Sequence, residues 1–314
     1  MRYLKKISAA SLAMVLSLVF LGGCGQANQQ AEGNTEKMSG EVAIDGSSTV
    51  YPITAAVGEE FQQLNPDVKI TVGFSGTGGG FEKFLQKEID INDASRAIKS
   101  EEIAKAEENK IEYKEIKIAY DGLSVVVSHD NDFVDNLTVD ELKRIWEPNS
   151  KVKTWKDVRP EWPAEEIKLF GPGSDSGTFE YFTEEVVGEK GAIRTDYTAS
   201  EDDNVLVNGV AGEKNGMGFF GYAYYVENKD KLKVVPIDNG SGPVEPNEET
   251  VKSGAYAPLS RPLFIYVRTE SLKKAEVKAF LEFYLKEGTK VIPSVGYVPI
   301  NEDEYKAGLD IIAK

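Results

Sequence analysis

The chain has 314 residues, 36 of them basic and 52 acidic, for a formal net charge of −16. That balance argues against nucleic acid and against electrostatic attachment to anionic lipid, since both partners repel it. One cysteine rules out an intrachain disulfide, and one histidine leaves a metal site poorly supplied with ligands.

In chain order, the first segment reads as an export leader. Arg2, Lys5 and Lys6 precede an apolar run from Ile7 to Phe20. The run is short of the ~20 residues a membrane span needs, and small residues follow it. Leu21-Gly-Gly-Cys24 resembles the bacterial lipobox, which implies a leader over 1–23 and Cys24 as the lipidated N-terminus of the mature chain. Residues 24–40 are polar and without periodicity, as a flexible tether would be. Roughly 290 residues then remain, enough for two lobes with substantial cores.

From there short β-rich runs alternate with helical patterns. Glu41–Asp45 reads as a strand, and Ile53, Val57, Phe61 and Leu64 keep helical spacing up to Asn65-Pro66. Lys69–Phe74 is the next strand, Phe81, Phe84 and Leu85 mark a short helix, and Ile89–Ile91 is strand-like. A charged helix over Ser100–Lys110 precedes two strands, Lys114–Tyr120 and Leu123–Ser128, divided by Asp121-Gly122. Thr138 caps a helix carrying Leu142, Ile145 and Trp146. Ile167–Phe170 is a strand, followed by a helix with Phe179, Phe182 and Val186. Met217–Tyr222, Lys233–Ile237 and Leu263–Arg268 are strands, and Ser271–Glu287 and Glu302–Lys314 are closing helices. The alternation predicts an α/β protein with mainly parallel sheets. Breaks at Asp121-Gly122 and over 239–262 suggest a discontinuous first lobe, 41–120 plus 260–314, around a second lobe, 121–259.

Three strand-to-helix junctions share one composition: Asp45-Gly-Ser-Ser-Thr49, Phe74-Ser-Gly-Thr-Gly-Gly-Gly80 and Gly171-Pro-Gly-Ser-Asp-Ser-Gly-Thr178. Free N–H groups of a helix's first turn carry partial positive charge, glycine lets an anion approach, and hydroxyls add donors. Any one junction alone reads more simply as a capped turn; three together point to an anion. Arg96, after Asn92-Asp-Ala-Ser, can add a fixed charge suited to a tetrahedral oxyanion.

Enzyme patterns fare poorly. Ser174-Asp-Ser-Gly177 faintly resembles the nucleophile segment of trypsin-like proteases, but Ser176 opens a helix and His129 lies in a polar turn. Neither a Gly-x-Ser-x-Gly elbow nor a nucleotide phosphate loop is present. No cofactor is expected.

Asp45-Gly-Ser-Ser-Thr-Val-Tyr-Pro52, Ser75-Gly-Thr-Gly-Gly-Gly-Phe81, Asp93-Ala-Ser-Arg96, Ser176-Gly-Thr178 and Leu259-Ser-Arg-Pro-Leu263 together resemble the phosphate-binding protein of the bacterial phosphate ABC importer. The likeness spans residues 41–314. It implies a type 2 periplasmic-binding-protein-like fold, a central sheet in each lobe, crossing hinge strands, and closure over one phosphate. It also implies docking of a monomer on a membrane permease, and no catalysis. Carried over by motif, the phosphate contacts are Ser48 and Thr49, Ser75, and Ser176, Gly177 and Thr178. Arg96 stands where the better-known branch has an aspartate, and Pro172 where it has an arginine. We therefore expect Arg96 to supply the positive charge, and Asp93 or Asp175 to accept the phosphate proton. Sulfate, molybdate or another oxyanion remains an alternative ligand, and a ligand-sensing lipoprotein without transport an alternative role.

Overall fold

The computed structural model describes residues 38–313. The leader over 1–23, Cys24 and the tether as far as residue 37 lie outside them. The strands are β1 (Gly40–Gly46), β2 (Val68–Val72), β3 (Ile91–Ala94), β4 (Tyr113–Ser128), β5 (Leu137–Thr138), β6 (Lys168–Gly171), β7 (Thr198–Ala199), β8 (Gly216–Gly221), β9 (Leu232–Val234), β10 (Ile237–Asp238), β11 (Pro243–Val244), β12 (Ser260–Arg268) and β13 (Val298–Pro299). The helices are α1 (Tyr51–Leu64), α2 (Gly76–Leu85), α3 (Ser100–Glu108), α4 (Val139–Trp146), α5 (Trp155–Val158), α6 (Gly177–Phe182), α7 (Asp203–Gly212), α8 (Tyr222–Glu227), α9 (Glu248–Ser253), α10 (Ala275–Ser294) and α11 (Glu302–Ala313). A π-helical turn, Thr183–Val187, continues α6.

The main sheet follows the order β2-β1-β3-β12-β4-β8-β6-β7, with β9 and β13 also paired to β4. It is mixed, not mainly parallel as the sequence pattern suggests. Parallel pairs join β1 to β2 and β3, and β6 to β7 and β8. Antiparallel pairs join β12 to β3 and β4, and β4 to β8. The expected break at Asp121-Gly122 is absent: β4 is one strand of 16 residues. Its first part pairs with β12 as far as Gly122↔Ser260, and from Leu123 it pairs with β8. Turn-prone residues stay extended there because Asp121 and Gly122 sit in register with Arg261 and Ser260. β4 and β12 are thus the strands that cross between the two halves of the molecule.

Local chemistry explains the elements. In α1, Pro52 sits at the start, Ile53, Val57 and Phe61 form the buried stripe, and Asn65 ends the helix. In α4, Thr138 accepts from the Glu141 N–H while Glu141 reaches back, and Leu142, Ile145 and Trp146 are buried. Each half has an aromatic core. Phe81 and Phe84 meet Tyr113 and Tyr266 in one; in the other, Phe182 stacks on Phe219 at 3.7 Å beside Trp146. Such rings contribute about 1.5–3 kcal/mol each on burial, which keeps the loops at the strand ends in place.

Candidate functional site

The strand-end loops are built by hydrogen bonds within each half. After β1, the Ser47 N–H donates to the Asp93 carbonyl and the Thr49 N–H to Ser47 Oγ, and the loop so held presents Ser48 and the buried Thr49 to the cleft. After β2, the Ser75 N–H and hydroxyl both donate to Asp45 Oδ1, at 2.9 and 2.6 Å. Lys83 meets the other Asp45 oxygen. Burial pushes the Asp45 carboxyl up, but the Lys83 and Ser75 hydrogen bonds outweigh it and hold it below its ordinary range. In the same loop, Thr77 Oγ1 accepts from the Ser95 N–H at 3.1 Å and so fixes the loop that follows β3. Across the molecule, Ser176 Oγ accepts from the Thr178 and Phe179 N–H groups and caps α6.

These loops meet at one junction. Ser48 donates to Glu180 Oε2 at 2.7 Å, and Thr49 Oγ1 donates to the Gly177 carbonyl at 3.5 Å. Glycine at 177 allows this approach: a Cβ there would lie 2.7 Å from the Thr49 Cα. On one side of the junction a cleft of about 720 Å³ is lined by Thr49, Ser75, Thr77, Ser95, Arg96 and Arg261. On the other, a cleft of about 790 Å³ is lined by Ser176, Gly177, Thr178 and Asp121, with the acids Asp175 and Glu201. Ser48 lines both.

The sequence-predicted residues therefore fall into three groups. Ser48, Thr49, Gly177, Ser176 and Thr178 come together at the junction. Ser75 and Arg96 line only the first cleft, and both are engaged: Ser75 by Asp45, and Arg96 by a bidentate pair with Glu102 at 2.8 and 2.9 Å. Of the two expected proton acceptors, Asp175 is exposed on the second cleft. Asp93 lines neither. Its carboxyl is sealed in the core, neither oxygen has a hydrogen-bond partner, and burial pushes it up to about 8.

Sequence reasoning missed the cation with the widest reach. Arg261 on β12 donates from Nε and Nη2 to Asp121 Oδ2, both at 3.3 Å, and from Nη2 to Thr49 Oγ1 at 3.0 Å. Its guanidinium also lies 3.5 Å from the Tyr181 ring centroid, on α6. One side chain thus touches both crossing strands, the Thr49 loop and the helix opposite. Its Nη1 donates to no acceptor among the described residues, so two N–H groups remain for a ligand. Its sequence signals were its place in the Leu259-Ser-Arg-Pro-Leu263 motif and just before a strongly β-patterned run, and neither marks it as a ligand contact. Among the described residues, no group of three or more His, Cys, Asp or Glu is placed to hold a metal ion.

A mixed sheet divided by two crossing strands, with polar loops from both halves meeting over a cleft, defines a two-lobe binding protein of the type 2 periplasmic class. Residues 28–287 match the PBP superfamily domain. The chain is 44% identical to the protein SphX of a Synechocystis species, over 97% of this chain and 89% of that one. It is 43% identical to the phosphate-binding protein PstS of Staphylococcus saprophyticus, over 96% and 92%. A crystal structure of a possible phosphate binding protein from Planctomyces limnophilus aligns at a TM-score of 0.84 with 48% identity, over 88% and 98%. The chain belongs to the PBP superfamily and, within it, to the PstS family of solute-binding proteins.

Proposed function

We propose that this chain captures inorganic phosphate between two lobes on the outer face of a cell membrane and delivers it to an ABC importer. The observation that carries the reading is Arg261. It holds an unpartnered pair of N–H groups where β12 meets β4, bonded to Thr49 of one hydroxyl loop and lying over the Tyr181 ring on the helix opposite. A guanidinium edge and convergent hydroxyls and N–H groups are what a tetrahedral oxyanion needs, and they overcome the repulsion of an acidic surface locally. The names of relatives such as the staphylococcal phosphate-binding protein PstS support phosphate as the anion.

In this reading Ser48, Thr49, Ser176, Gly177, Thr178 and Arg261 contact the anion. Ser75 acts by holding its loop through Asp45, and Arg96 adds positive potential at the rim although Glu102 offsets much of its charge. The first lobe comprises 41–120 plus 260–314, and the second 121–259. An anion contacted by both lobes stabilises the closed state, which is the form offered to a permease. Cys24 carries the lipid and residues 24–40 the tether. The protein works as a monomer and catalyses nothing.

The test is calorimetric titration of anion-stripped protein with phosphate, sulfate and molybdate. One-to-one binding of phosphate supports the reading. Preference for sulfate or molybdate points to another oxyanion transporter, and silence with all three overturns anion capture.

A further inference from the structure

A guanidinium carries its N–H donors in its plane and none on its faces, so whatever fixes that plane decides where a free edge points. Hydrogen bonds from Nε and Nη2 to Asp121 and Thr49 hold one side of the Arg261 group but still let its plane tilt. The face is held by Tyr181. The guanidinium carbon lies 3.5 Å from the Tyr181 ring centroid, at van der Waals distance over the ring. The other cation–ring contacts among the described residues are longer, at 4.6 to 5.5 Å.

Tyr181 is itself held at both ends. It is 2% exposed, on α6, and its hydroxyl donates to the Pro258 carbonyl at 2.6 Å, just before β12. Burial pushes that hydroxyl well above its ordinary range, so it keeps the proton it donates. The next residue, Phe182, is stacked against Phe219 in the core. Tyr181 also follows Gly177 by one helical turn, so the two share a face of α6. The contacts form a closed circuit. Arg261 donates to Thr49, Thr49 donates to the Gly177 carbonyl, and one turn of α6 leads on to Tyr181 and back to Arg261. That circuit takes in a crossing strand, a loop of one half and a helix of the other.

We infer that Tyr181 is a positioning residue for the oxyanion: its ring fixes the plane of the Arg261 guanidinium, aims the free N–H edge at the anion, and keeps that edge in register with Ser176, Gly177 and Thr178. The inference rests on the anion-binding reading above and deepens it. An oxyanion takes N–H donors nearly in line, so a tilted guanidinium keeps its charge but loses hydrogen-bond strength steeply. Losing a cation–ring contact in a desolvated site corresponds to about tenfold to thirtyfold in affinity.

The experiment measures phosphate affinity by calorimetry, with a thermal melt for each protein. The proteins are wild type, Tyr181→Leu, Tyr181→Phe, Arg261→Gln and the double variant Tyr181→Leu/Arg261→Gln. Tyr181→Leu should bind about tenfold to thirtyfold more weakly, and Tyr181→Phe, which keeps the ring, within about threefold of wild type. In the Arg261→Gln background the leucine should cost less than about twofold, because its effect passes through the guanidinium. A purely structural role lowers the melting temperature without this pattern. Equal losses in both backgrounds, or unchanged affinity in Tyr181→Leu, therefore overturn the inference. A second measurement needs no Tyr181 variant. In isotope-labelled wild type, the Arg261 Nε–H resonance is identified by its loss in Arg261→Gln. The ring current should move it upfield of its ordinary position, and phosphate should shift it further. A resonance at its ordinary position, or one that phosphate leaves unmoved, overturns the inference even if Tyr181→Leu fails to fold. Phosphate binding by wild type with either of those results sinks this inference alone. No phosphate binding by wild type sinks the functional reading as well.

Discussion

Replacing Asp93 by asparagine should stabilise the protein, and by more as pH rises toward 8. Asp93 sits fully buried on β3, with neither carboxyl oxygen hydrogen-bonded. Burial, reinforced by the charge of Asp45, pushes its pKa from the ordinary 3.8 to about 8, and the nearby Thr54 hydroxyl, paired with Tyr284, does not reverse it. The folded state therefore keeps a proton that the unfolded state gives up near pH 4. Wherever the unfolded state binds fewer protons, stability falls as pH rises. The wild-type cost grows by about 1.4 kcal/mol per pH unit through the window from pH 4 to pH 8, and levels off above it. Relaxation around the group will reduce the total, but several kcal/mol are at stake. Asparagine carries no charge, so its cost is flat with pH; Asp121, raised in the same direction, is common to both proteins and cancels in the difference. Urea denaturation of both proteins at pH 5, 6, 7 and 8 measures this difference. It should widen steadily in favour of Asp93→Asn. A constant difference across that range refutes the assignment of a neutral carboxyl in the core.

Removing one member of the buried Arg261–Asp121 pair should be costlier than removing both. Arg261→Gln strands a carboxylate that is 4% exposed, and should lose about 3–5 kcal/mol in urea denaturation, most of it recovered by adding Asp121→Asn. Gly177→Ala should weaken phosphate binding at least tenfold in calorimetry while leaving the melting temperature nearly unchanged, because its Cβ would meet the Thr49 backbone at 2.7 Å and hold the two loops apart. Phe182→Ala should cost about 3–5 kcal/mol of stability, since Phe182 is fully buried and stacked on Phe219 at 3.7 Å. It should leave ligand affinity within a few-fold, because the ring touches core and not cleft.

The legible parts of the fold are those where one local signal decides. α1 and α4 follow their apolar spacing, and Thr138 caps α4 as its chemistry dictates. The illegible parts depend on partners distant in sequence. Asp121-Gly122 has turn composition, yet β12 pairs with it across nearly 140 residues and keeps it in a strand. α2 begins at Gly76, inside a run of glycines that propensity disfavours, because packing of Phe81, Phe84 and Leu85 continues the helix backward. α7 contains Gly209 and Gly212 and was not anticipated; Leu206, Val207 and Val210 bury one face of it. In the site, motif reasoning found the hydroxyl loops but could not see which hydroxyls are already committed. Ser75 is tied to Asp45 while Thr77, two residues on, pins the Ser95 loop. It also placed the site's positive charge at Arg96, which a nearby Glu102 occupies. Arg261 emerges as the central cation only when the crossing strands bring it beside Asp121 and Thr49.

The central claim is that the cleft takes a phosphate ion through both lobes. The most direct measurement is titration of the chain from residue 38, part of the single compact unit Lys37–Lys314, after removal of bound anion. The account predicts one-to-one phosphate binding that Arg261→Gln weakens by about a hundredfold or more, as expected for a lost charge-assisted contact of about 3 kcal/mol. Phosphate binding that is unchanged in Arg261→Gln, or absent in the wild type, would contradict it.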